Sequence, residues 1–102
     1  MATSAAITSR ITHHLDALHA NVDDLPKLAA EWAELPQEVQ VTLSLQWAHL
    51  MADYLTELDE HYRSGAMPDG QRERYVALLE KLRAKHSIVE QLRLYPPPVV
   101  DA

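Results

Sequence analysis

No cysteine occurs in these 102 residues, which excludes disulfides, thiolate nucleophiles and sulfur-ligated zinc fingers. Glycine is nearly missing: Gly65 and Gly70 are the whole supply, too little for a phosphate-cradling loop of the Walker or dinucleotide type. Phenylalanine is absent and β-branched runs are short, while Ala, Leu, Glu, Gln and Arg dominate, which is the chemistry of helix formers. No apolar run approaches the ~18 residues of a membrane span. The opening MATSAAITSR lacks the basic and apolar regions of a secretory signal, so the expected location is the cytoplasm.

Positive charge is also scarce. Nine Lys and Arg stand against 15 Asp and Glu, a net charge of −6, which leaves little counterion-release energy for nucleic acid and disfavours anionic membranes. The one basic cluster, Arg72 to Arg93, is diluted by Glu73, Glu80 and Glu90. Hydrophobic content of 47% is enough for an ordered core, and the length allows one domain, 1–102.

What is present is helical periodicity. The stretch 36–63 reads as one helix, with Pro36 suited to its first turn and Gly65 to a left-handed C-cap. At 100° per residue, Leu43, Leu50, Met51, Tyr54 and Leu58 gather around Trp47. Val41, Leu45, Ala48, Ala52 and Leu55 widen that arc past half the circumference, leaving a polar strip of Glu38, Thr42, Gln46, His49, Asp53, Thr56, Glu57 and Glu60. So broad an arc needs neighbours on two sides.

Upstream, Ile7, Ile11, Leu15, Leu18 and Val22 mark a first helix over 4–21, after a disordered start at 1–3. A turn at 21–24, whose aspartates can cap, leads to a short second helix with Pro26 in its first turn and a corner at Leu35. Downstream, Ser64 to Gly70 is a short loop, so the next helix (69–94) should return antiparallel, with Tyr75, Leu78, Leu79, Leu82, His86, Val89 and Leu92 as its stripe. Such a return would set Tyr54 near Tyr75. Tyr95-Pro96-Pro97-Pro98 stops it, and 95–102 should be an extended Pro-rich tail. The expected fold is all-α: a helical bundle built on a long antiparallel hairpin (36–63 and 69–94) with two shorter N-terminal helices.

Chemistry is sparse. His49, Asp53, Glu57 and His61 recur at four-residue steps, but each step drifts about 40° around the helix, so they do not converge on one ion. Glu-x-x-His is missing; Asp16-x-x-His19 comes nearest. There is no Gly-x-Ser-x-Gly elbow, and Ser44 and Ser87 have no base beside them. No catalytic residue, metal or cofactor is expected, and the chain is read as no enzyme. The leading expectation is a non-enzymatic protein-interaction module that forms a homodimer or binds another protein. Its contact residues would be Val41, Leu45, Ala48, Ala52 and Leu55 on the long helix, with His86 a polar element on a packing surface. The alternatives are a metal-binding bundle using His13, His14, His19, His49 or His61, and an acidic regulator that neutralises a basic partner.

Overall fold

Helix formers without strand or hairpin signals give helices alone. The computed structural model describes residues 2–98, with side chains from Ala5 onward, and among them every regular element is helical. Helix α1 spans Ala2–Asp23, so it begins two residues before the expected start, and the expected disordered segment is helical at Ala2 and Thr3. Met1 and 99–102, the latter part of the expected tail, lie outside the described residues.

Helix α2 spans Leu25–Glu31 and is prolonged by a 3₁₀ turn, Trp32–Glu34. Between α1 and α2 a single residue, Asp24, interrupts the helix. Asp24 keeps helical dihedrals (φ −82°, ψ −10°), and its side chain makes no capping bond, contrary to the capping role expected from sequence. The sharp corner comes at Leu35, driven to an extended ψ of 139° by the ring of Pro36. The Gln40 side chain donates to the Trp32 carbonyl oxygen (2.7 Å) and pins that corner.

Helix α3 occupies 37–64, 28 residues. It is α-helical over Gln37–His49 and Thr56–Ser64, with a π-helical turn, Leu50–Leu55, between them. At its end Gly65 takes φ +79°, a left-handed conformation that costs glycine little. The Ala66 N–H then bonds the His61 carbonyl (3.0 Å), closing a Schellman cap.

Pro68 provides the extended entry to helix α4, Asp69–Ala84. The expected single helix 69–94 is broken at Lys85 (φ −99°, ψ 8°), and helix α5, His86–Gln91, follows. A second Schellman cap ends α5, with Leu94 N–H on the Val89 carbonyl (3.0 Å) and Arg93 at φ +56°. Residues 94–97 carry no regular structure.

Three helices make the body, and α1 lies between the other two. Arg10 and His14 meet Glu57 of α3, while Asp16 and Asp23 meet Arg74 and Lys81 of α4. With His14 also stacked on Tyr54, the order Arg10–Glu57, His14–Tyr54 runs α1 antiparallel to α3, and Asp16–Arg74, Asp23–Lys81 runs it parallel to α4. The stripe Ile11, Leu15, Leu18 and Val22 is fully buried between Met51, Leu55 and Leu58 on one side and Tyr75, Leu78 and Leu82 on the other. Near the connecting loop α3 and α4 touch directly: the Tyr75 hydroxyl donates to Asp59 (2.9 Å), and the Tyr62 and Tyr75 rings lie 4.9 Å apart. Tyr54, expected against Tyr75, faces α1 instead, because α1 fills the groove there.

At the other end, α2, α5 and the residues just after α5 cover the core with Leu25, Val89, Leu92 and Leu94, and the Trp47 indole N–H donates to the Tyr95 carbonyl (2.8 Å). The first half of α3 runs past this body. No residue from 37 to 46 is buried, and Trp47 is the first that is. The molecule is accordingly elongated, 49 × 27 × 18 Å.

Candidate functional site

Two places hold side chains that packing alone does not explain: the protruding half of α3, and a histidine-rich seam along α1.

On the protruding half, Val39, Val41 and Leu45 are 39%, 51% and 66% exposed. Two open grooves flank them. One, of about 520 Å³, is lined by Asn21, Thr42, Leu45, Gln46, His49 and Leu50. The other, of about 590 Å³, is lined by Pro36, Gln37, Glu38 and Val41. Of the contact face expected from sequence, Val41, Leu45 and Ala52 are exposed and Ala48 is half-buried. Leu55 is a correction: it is fully buried in the core. The reason is the π turn at Leu50–Leu55, whose wider winding swings Leu55 back onto the stripe of Trp47, Met51 and Leu58.

His86 is the second correction. Expected on the buried stripe of one continuous helix, it is exposed and paired with Glu90 one turn along α5. The break at Lys85 resets the helical phase, and Val89 takes the inward position instead.

On the seam, the ring of Tyr54 is the hub. His14 stacks on it at 4.1 Å and 20°, His49 meets it edge-on at 5.4 Å, and His13 lies tilted at 6.5 Å. His14 is 5% exposed. Its Nδ1 lies 3.0 Å from Glu57 Oε2 but off the line of a hydrogen bond, so it stays without a donor–acceptor partner. Glu57 is held from its other side by Arg10, through Nε at 2.8 Å and a terminal nitrogen at 2.9 Å, which keeps its carboxyl below the usual range. Burial pushes the His14 imidazole down, against the attraction of Glu57.

His19 sits a turn further along α1, half-buried and bonded to α4, and burial lowers it also. Asp16, which sequence pairs with His19 in the nearest approach to a metal motif, turns to Arg74 instead (2.7 Å). Asp53 is occupied by His49 (2.6 Å). Among the described residues no three His, Asp or Glu side chains converge as metal ligands.

The polar groups of the core escape a reading by composition but not by phase. His14 stands three residues after Ile11 and four before Leu18, on the buried stripe. Gln71 stands four before Tyr75, also buried, and its amide nitrogen donates to the Thr8 carbonyl and the Thr12 hydroxyl, both 2.9 Å. Both positions were available to a strict 3–4 count along each helix.

No helix among the described residues is long and apolar enough to cross a membrane. Compared with models of known protein families, with curated proteins and with solved structures, the chain finds no match in any of the three.

Proposed function

We propose that this chain is a non-enzymatic interaction module that self-associates through the protruding half of α3. The observation that carries the reading is the run of Val39, Val41 and Leu45, 39–66% exposed, on a helix half that contributes no buried residue to its own core. A helix that supports no core gains nothing for the monomer by being apolar, whereas a second copy packed on it removes that surface from water. An isologous contact fits a single stripe of this kind, because the same Val41 and Leu45 meet their symmetry mates. Leu45 also lines one of the grooves, so each copy offers both an apolar side chain and a recess of about 520 Å³ to receive one.

The reading against enzymatic chemistry rests on the same geometry. His14 and Glu57 resemble an acid–base pair by composition, but His14 is sealed beneath Tyr54 at 5% exposure, where no substrate reaches it. The metal-binding alternative lacks three converging ligands among the described residues.

The absence of native cysteine makes a clean test possible. A Leu45→Cys variant should form a disulfide-linked dimer under mild oxidation at micromolar protein, while Glu73→Cys on exposed α4 should not. Equal cross-linking at both positions would mean random collision and would remove the support for this face.

A further inference from the structure

Where α1 and α4 run side by side, the bonds to the His19 ring fix its charge. Nε2 lies 3.0 Å from the Arg74 carbonyl oxygen, which only accepts, so Nε2 carries the hydrogen. Nδ1 lies 3.0 Å from the Lys81 ammonium, which only donates, so Nδ1 offers its lone pair. The imidazole is therefore neutral in this arrangement. Lys81 reaches on to Asp23 Oδ1 at 2.9 Å, and Arg74 reaches Asp16 at 2.7 Å. The charged groups around the ring are thus Asp16 and Asp23 from α1, Arg74 and Lys81 from α4, and Lys85 at the break after α4. Cations and carboxylates nearly balance, so the site of protonation decides: a proton on Nδ1 meets an ammonium already 3.0 Å away.

We propose that His19, Lys81 and Asp23 form an acid-sensitive clasp between α1 and α4, closed while His19 is neutral and released when Nδ1 takes a proton and expels Lys81 from the ring. Asp23 retains the lysine, but the bond through the imidazole is lost and a further cation enters the seam. Beneath the clasp lie Leu18, Val22, Leu78 and Leu82, all at 0–1% exposure, which release would open to water.

The direction with pH follows from His19 sitting below its ordinary 6.5 in the folded chain, through burial and the nearby Lys81 and Arg74. As pH falls, the unfolded chain takes up the proton first. The stability contributed by neutral His19 is complete above about pH 6.5 and is lost as pH drops towards the folded-state value. His14, lowered by burial, adds to the same trend. Asp23 does not oppose it, because Lys81 keeps its carboxyl ionised throughout this window.

Nitrogen-15 NMR on the full chain tests the clasp. His19 should be the Nε2–H tautomer at about pH 7.5 and titrate below 6.5. Amide exchange, corrected for its intrinsic pH dependence, should be several-fold less protected in α1 and α4 at about pH 5.5 than at about pH 7.5, and His19→Gln should abolish most of that difference. Lys81→Met should raise the His19 midpoint, a readout that stands even if His19→Gln does not fold. A His19 midpoint at or above 6.5, an Nδ1–H tautomer, pH-independent protection of the seam, or a midpoint unmoved by Lys81→Met would each overturn the proposal.

Discussion

Deleting Ala52 should do little harm, and the reason lies in the π turn. A π turn closes its hydrogen bonds from i to i+5 instead of i+4, so it holds one residue more than the α-helical turn it replaces. In α3 it spans Leu50–Leu55 while the α-helical segments on either side keep Trp47 and Leu58 inward. Ala52 lies in that turn and is exposed. Removing it should let the turn relax to α-helix with both flanks still in phase, at a cost of less than about 2 kcal/mol, the range of small packing adjustments in a core. Deleting Ala17 from α1 supplies the contrast. There no spare residue exists, and everything downstream rotates by about 100°. Leu18 and Val22, both fully buried, would leave the core. Two such losses at about 2–5 kcal/mol each approach the whole stability of a small domain. Urea denaturation followed by circular dichroism would therefore show a cooperative transition for the Ala52 deletion and none for the Ala17 deletion. If the Ala52 deletion unfolds the chain, the π turn is required by the packing around Tyr54 and the reasoning is wrong.

Other perturbations follow from the same contacts. Leu82→Ala, at 1% exposure, should cost about 2–5 kcal/mol, against less than about 1 for His49→Ala, whose pair with Asp53 is exposed on both sides; chemical denaturation giving the reverse order would refute the assigned packing. Tyr75→Phe should cost about 1–2 kcal/mol, since the lost bond runs to a carboxylate that Arg63 still holds at 2.6 Å; a cost near zero would show that the hydroxyl bond to Asp59 contributes nothing. Arg93→Gly should be neutral or stabilising by up to about 1 kcal/mol, because φ +56° strains a residue with a Cβ; clear destabilisation would place a missed contact on the Arg93 side chain.

Local features were legible where one residue type dictates one conformation. Pro36 announces the extended Leu35, Gly65 the left-handed cap, and the Ile7 to Val22 spacing the buried face of α1. The all-helical class follows from composition in the same way. What eluded the sequence was relative position. The broad apolar arc of α3 suggests the central helix, yet half of that helix protrudes and the narrower stripe of α1 fills the centre, because burial depends on which helix has two neighbours rather than on apolar width. The π turn has no compositional mark, so phase carried across it misplaces Leu55. The break at Lys85 involves neither glycine nor proline, and α5 ends on a left-handed Arg93, so 69–94 reads as one helix and His86 falls on the wrong face. The exposure of Val41 and Leu45 was readable because both lie before the π turn.

Sedimentation equilibrium of the unmodified chain at micromolar concentration tests self-association through α3 most directly. A mass approaching twice the 11.5 kDa of one chain is expected, reduced to a single chain by Leu45→Glu with helical content unchanged. A wild-type mass of 11.5 kDa across that range, or a dimer that Leu45→Glu leaves intact, would contradict it.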